Sequence, residues 1–269
     1  MQFFKPQLKL SFTYSFLLTI LFFSYGCSSI KTKAENQKMD IYILMGQSNM
    51  AGRGPLSAEN ELLGNPNVKV FTQDLKWVEA HHPLHFDKPK IAGVGPGLSF
   101  GLAMRKASKN KQIGLVPTAV GGTSIDSWIP RTQDKATEKF PYDDAIIRIK
   151  EAMKYGTIKG VIWHQGEADS DPDKVAYYLP KLKVLIQRIR TLVGNDKLPF
   201  IAGELGQFRD TYINFDKQLH KLPEQVPFTA IVSSEELIDK GDNTHFNSAS
   251  AEILGKRYAE KMTKFLKKK

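Results

Sequence analysis

The stretch Ile41-Tyr42-Ile43-Leu44-Met45 runs without interruption into Gly46-Gln47-Ser48-Asn49-Met50-Ala51-Gly52. Five consecutive apolar residues fit a strand buried on both faces, and the glycine that follows marks a sharp turn. The same grammar recurs downstream. Short apolar, β-rich runs stand at Ile113 to Val120, Gly160 to Trp163, Pro199 to Gly203 and Phe228 to Val232. Helical patterns lie between and after them, at Gly97 to Ser108, Tyr142 to Tyr155, Lys174 to Val193, Asp210 to His220 and Ser248 to Leu266. Continuous apolar strands alternating with helices predict a parallel sheet covered on both faces, a three-layer α/β domain. In such a sheet, ligands bind where the loops leave the carboxyl ends of the strands.

The last helix has the plainest pattern. Ala251, Leu254, Tyr258, Met262 and Phe265 share one face, while Lys256, Arg257, Glu260 and Lys264 share the other. Asn247 or Ser248 can cap it, and Glu252 suits the positive end of its dipole. The stretch from Arg53 to Ala92 is poor in pattern and rich in His, Pro and Asn, and is expected to form loops at the rim of the site. With no internal repeat and no second core, residues 40–269 read as one domain.

The chain of 269 residues is 41% apolar and 25% charged, which excludes disordered and fibrous classes. Its beginning differs in character. Lys5 and Lys9 precede an apolar run from Phe16 to Phe23, small residues follow, and the chain's single cysteine comes next at Cys27. This reads as a secretory signal over residues 1–27, since the run is well short of the roughly 20 residues a membrane span needs. Ser24-Tyr25-Gly26-Cys27 is similar to a lipobox, although an aliphatic residue is usual where Ser24 stands. Lipidation of Cys27 is therefore expected, with residues 28–39 as a polar tether. The protein would be exported and held at a bacterial membrane, periplasmic or cell-surface, by an N-terminal lipid anchor. The net charge of +10 does not indicate a nucleic-acid partner, because the lysines are dispersed or gathered at the two ends and form no basic stripe interleaved with aromatics.

Four segments fall at predicted strand ends. Ser48 sits on the first turn, where following backbone amides suit an oxyanion; a serine there also serves simply to cap a helix. The turn lacks the Gly-x-Ser-x-Gly elbow of the α/β-hydrolases. Asp242-Asn243-Thr244-His245 is a polar loop in which a carboxylate can fix the imidazole tautomer and free the other ring nitrogen to accept a proton. Trp163-His164-Gln165-Gly166-Glu167-Ala168-Asp169 offers Gln165 as an N–H donor and Glu167 as a second acid, able to orient His245 or to bind sugar hydroxyls. Trp163 is expected to pack in the core. Val120-Gly121-Gly122-Thr123 supplies glycine amides. His81, His82 and His85 have no matching set of carboxylate or cysteine partners, so no metal is expected.

Gly46-Gln47-Ser48-Asn49-Met50, Gly121-Gly122-Thr123, Trp163-His164-Gln165-Gly166-Glu167 and Asp242-x-x-His245 together resemble the SGNH-hydrolase superfamily, in its sialate O-acetylesterase and carbohydrate esterase family 6 branch. The likeness runs from about Asp40 to the final helix. It implies a flavodoxin-like sheet, no cofactor or metal, and a serine acting on acetyl esters of sugars such as acetylated xylan or sialic acid. By that likeness Ser48 attacks, His245 moves the proton and Asp242 holds the imidazole, with Glu167 the other available acid and Asp242 favoured for its spacing. The Ser48 amide, a Gly121 or Gly122 amide and the Gln165 side chain bind the oxyanion, and Gln47, Asn49 and Thr123 contact substrate. The broader superfamily carries an asparagine where this branch, and this chain, has Gln165. The rival reading is a surface carbohydrate-binding lipoprotein that kept this fold without turnover.

Overall fold

The computed structural model describes residues 1–4, 39–108 and 111–267. The apolar run, Cys27 and the tether up to residue 38 lie outside the described residues. Among the described residues no helix is long and apolar enough to cross a membrane.

Seven strands form one sheet: β1 (Met39–Gly46), β2 (Val68–Phe71), β3 (Trp77–Glu79), β4 (Ile113–Pro117), β5 (Gly156–His164), β6 (Phe200–Gly203) and β7 (Thr229–Val232), in the order β3-β2-β4-β1-β5-β6-β7. All neighbouring pairs are parallel except β2 with β3. The helices are α1 (Ser48–Ala51), α2 (Ala58–Glu61), α3 (Pro96–Ala107), α4 (Pro141–Ala152), α5 (Pro172–Val193), α6 (Asp210–Leu219), α7 (Leu222–Gln225) and α8 (Ser248–Leu266). The three-layer α/β architecture expected from the sequence is the one the chain adopts. Arg53 to Ala92 departs from the expectation of loops alone, because it contains α2 and the β2–β3 hairpin at the sheet edge. Those strands have only four and three residues and alternate with lysine and glutamate, as a strand at a wet edge does.

β1 is wholly buried and divides its side chains between two cores. Ile41, Ile43 and Met45 face the layer of α4, α5 and α6, where they meet Ile149, Leu182 and Phe215. Tyr42 and Leu44 face α3 and α8, alongside Leu98, Phe100, Leu254 and Tyr258. Burying one such large apolar side chain contributes about 1.5–3 kcal/mol. The strand is continuous and apolar because neither face meets water. β5 needs an irregularity to keep step with it. Ile41 pairs with Ile158 but Tyr42 pairs with Gly160, so Lys159 has no opposite number in the β1 register. Ile158 and Val161, three apart, consequently enter the same core.

Arg148 of α4 closes the open side of the sheet. It donates to the carbonyls of Phe71, Thr72 and Pro117, and its guanidinium lies over the Phe86 ring. Burial holds its pKa down at about 10. The hairpin edge and the end of β4 are thereby fixed next to each other.

α8 spans Ser248–Leu266 as the periodicity predicts, and Asn247 caps it by accepting from the Ser250 amide. The chain passes from β1 to neighbours on opposite sides, β4 and β5, so their carboxyl ends define a switch-point crevice.

Candidate active site

Three of the four sequence segments emerge at that crevice, and the loop before α8 supplies the fourth. Gly46 ends β1 at φ 132°, and a Cβ there would stand 2.0 Å from the His164 carbonyl oxygen of β5. Only glycine permits this approach. The Gln47 amide then donates to that same carbonyl at 2.9 Å, and Ser48 opens α1.

The Ser48 hydroxyl lies 2.9 Å from Nε2 of His245, and Nδ1 of His245 lies 2.7 Å from Oδ2 of Asp242. With Nδ1–H donating to the carboxylate, Nε2 is left as acceptor for the Ser48 proton. Burial of the Asp242 carboxyl pushes its pKa up, but hydrogen bonds from the His245 amide and ring and from the Thr244 amide prevail and hold it at about 2. The carboxylate is therefore charged across neutral pH. Arg209 secures the loop from outside by donating to the Asn243 carbonyl and the Thr244 hydroxyl.

Glu167 does not touch His245. Its Oε1 accepts from Asn49 Nδ2 at 2.6 Å and lies 3.9 Å from Nε2 of His164. Burial raises its pKa to about 7. The choice between two acids left open by the sequence resolves geometrically to Asp242 as the imidazole's partner. Glu167 was a candidate only because the chain pattern cannot show which loop faces which.

The side chains expected to contact substrate, those of Gln47, Asn49 and Thr123, are all internal and hydrogen-bonded within the protein. Asn49 donates to Glu167 and to the Thr244 carbonyl, and its Oδ1 accepts from the Phe246 amide. It thus brackets His245 from both chain neighbours. Thr123 is fully buried, donating to the Val120 carbonyl and accepting from Trp128. Gln47 is 3% exposed and accepts from Gln165.

Of the expected oxyanion donors, two are engaged within the protein. Gln165 is fully buried, and its Nε2 faces the Gln47 amide oxygen, the Thr123 carbonyl and Asp169 Oδ2 at 3.1, 3.1 and 2.5 Å. Two N–H bonds among three acceptors leave nothing for a substrate. The Gly121 amide is also engaged, donating to Asp87 Oδ2 at 2.8 Å. Asp87 in turn is paired with Arg53 at 2.5 Å. Among the described residues the amides of Ser48 and Gly122 have no acceptor, and the glycine turn lies against the nucleophile: a Cβ on Gly121 would be 3.3 Å from that of Ser48. Both amides are therefore uncommitted. Sequence reasoning missed Arg53 and Asp87. Arg53 had a signal in directly following the Ser48 turn, whereas Asp87 lies in a stretch without pattern.

His81, His82 and His85 do not converge, and among the described residues no group of three or more His, Cys, Asp or Glu side chains can hold a metal ion. Trp163 is a core residue, packed edge-on against Trp128 at 5.1 Å and donating to the Tyr178 hydroxyl.

Comparison with known proteins bears on the family and the fold. The chain is 32% identical over 239 residues to a probable carbohydrate esterase of Arabidopsis thaliana, covering 82% of this chain and 88% of that one. The X-ray structure of an Arabidopsis thaliana protein superposes with a TM-score of 0.73 at 31% identity, over 85% of this chain and 98% of that one. A carbohydrate acetylesterase from Xanthomonas citri shares the fold at 20% identity, with a TM-score of 0.64 over 82% of this chain and 55% of that one. Residues 38–264 match the family model described as carbohydrate esterase, sialic acid-specific acetylesterase, and the chain belongs to that family.

Proposed function

We propose that the protein is a serine esterase that removes O-acetyl groups from carbohydrate through an acyl-enzyme. The observation that carries the reading is the unbroken relay of Ser48 Oγ, His245 and Asp242, with contacts of 2.9 and 2.7 Å. Ser48 Oγ attacks the acetyl carbonyl while its proton passes to His245 Nε2. The carbonyl oxygen becomes an oxyanion held by the Ser48 and Gly122 amides. His245 then returns the proton to the sugar oxygen as the C–O bond breaks, leaving acetyl-Ser48 and a free sugar hydroxyl. Water adds to the acetyl carbon and gives its proton to His245. Acetate leaves, and the Ser48 hydroxyl is restored. Asp242 stays ionised and stabilises the imidazolium in both halves.

The substrates proposed are acetylated xylan or acetylated sialic acid. The test is acetate release by the purified protein from p-nitrophenyl acetate and from acetylated xylan, sialic acid and pectin, with Ser48→Ala as control. Release from the sugar esters that disappears in Ser48→Ala is the expected result; release unaffected by Ser48→Ala ends the serine mechanism. Export and lipidation at Cys27 belong to the same proposal and rest on the leader sequence. Incorporation of a labelled fatty acid in the wild type, lost in Cys27→Ala, is the outcome expected.

A further inference from the structure

Behind the glycine turn lies a buried ion pair that neither moves a proton nor touches the acetyl group in that reaction. Asp87 and Arg53 have side chains only 1% and 3% exposed. Asp87 Oδ2 accepts from both Arg53 Nη2, at 2.5 Å, and the Gly121 amide, at 2.8 Å. Arg53 Nη1 donates to the Gly52 carbonyl at 2.7 Å, and the Gly52 amide itself donates to the Ser48 carbonyl. One hydrogen-bonded path therefore runs from the nucleophile turn, through Arg53 and Asp87, to the glycine turn after β4. Space at that point is fully taken: a Cβ on Gly121 would come within 2.4 Å of Arg53 Nη2.

We propose that Asp87, braced by Arg53, is the positioning residue of the oxyanion hole: by taking the Gly121 amide, it fixes the turn so that the Gly122 amide is the one left beside Ser48. The arrangement explains how a carboxylate can sit so close to a developing oxyanion. Unpaired, it would repel the negative charge; with Arg53 against it, the pair is neutral and only its hydrogen-bonding geometry remains. The inference rests on the serine-esterase reading, and its test separates the two.

The full chain is assayed with p-nitrophenyl acetate as wild type, Ser48→Ala, Asp87→Ala and Asp87→Asn, with active enzyme counted by endpoint labelling with a fluorophosphonate and folding followed by thermal melts. An asparagine oxygen can still accept from the Gly121 amide, although the charge is gone. Per labelled site, Asp87→Ala is expected to lose about a hundredfold in kcat, the scale of one misplaced oxyanion donor, with KM nearly unchanged. Asp87→Asn should recover to within about tenfold of wild type, since it keeps the acceptor. A purely structural ion pair predicts equal damage from both variants, seen as fewer labelled sites rather than slower ones. Equal kcat losses in the two variants, or wild-type kcat in Asp87→Ala, would overturn the inference. Should Asp87→Ala fail to fold, Asp87→Asn decides alone: a hundredfold loss per site overturns it. Inactive Ser48→Ala beside fully active Asp87→Ala removes this inference only, whereas active Ser48→Ala removes it together with the esterase reading.

Discussion

Asp242 and His245 meet at the surface, whereas Glu167 and His164 face each other in the interior, and in both pairs the acid and the imidazole are three residues apart in sequence. The first pair has side chains 38% and 23% exposed and is joined by a 2.7 Å hydrogen bond. The second is 4% and 0% exposed and stands 3.9 Å apart. Backbone and ring donors around Asp242 keep its carboxylate charged, with a pKa of about 2. Burial pushes Glu167 up to about 7 and His164 down to about 3, so both of its members favour the neutral form. An acid and an imidazole at the same spacing thus become a charged relay in one place and an uncharged strut in the other. Solvent access and the number of N–H donors make the difference.

Several substitutions would break or sharpen that contrast. The largest effect belongs to His245→Ala, which removes the base and should lower kcat by about 10⁵–10⁶-fold, measured with p-nitrophenyl acetate, with the melting temperature little changed. Asp242→Asn comes next, at about 10³–10⁴-fold in kcat, because the imidazole loses its tautomer and its counter-charge. Glu167→Gln in the same assay should leave kcat near wild type. A kcat loss in Glu167→Gln comparable with that in Asp242→Asn would erase the distinction.

The third effect is on stability. Native Glu167 keeps its proton up to about pH 7, while the unfolded chain releases it near pH 4.5. Between these values the native state binds more protons, so this residue's contribution is full below the lower value and is lost as pH rises through the higher one. Glu167→Gln should therefore gain on wild type by on the order of 2–3 kcal/mol between pH 4.5 and 8, read from urea unfolding at each pH. A constant difference across that range would mean the carboxyl is not held neutral. The smallest effect is that of Arg209→Ala. Its two exposed bonds to the histidine loop are together worth about 1 kcal/mol of stability, so the melting temperature should fall by about 2–4 °C while kcat changes little.

The central strands and α8 were readable because their hydrophobic periods are set by burial, which the order of residues records directly. β1 is apolar throughout because both its faces are covered, and α8 repeats at helical spacing because only one of its faces is. The β2–β3 hairpin was not readable, since strands of four and three residues at a wet edge carry too little pattern. The Ser48, Asp242 and His245 constellation was legible as residue types at strand ends. Its internal supports were not. Gln165 reads as a free donor until Asp169, Thr123 and Gln47 are seen to claim its amide. Asn49 reads as a substrate ligand until it is seen to hold the segments on either side of His245. Apart from the Asp169 contact, these bonds join residues 42 to 197 positions apart in the chain, and no local pattern encodes that.

Lys159, the residue the β1 register skips, has a reach out of proportion to its size. Strand residues alternate between the two sides of a sheet, so one additional residue inverts that sense for everything beyond it. Losing Lys159 would send Trp163 toward α8 and His164 toward α5, scrambling the approach to Gln165 and Glu167 about 16 Å further on. Changes of length near the foot of β5 are thus felt at the catalytic rim, while changes of residue type there need not be.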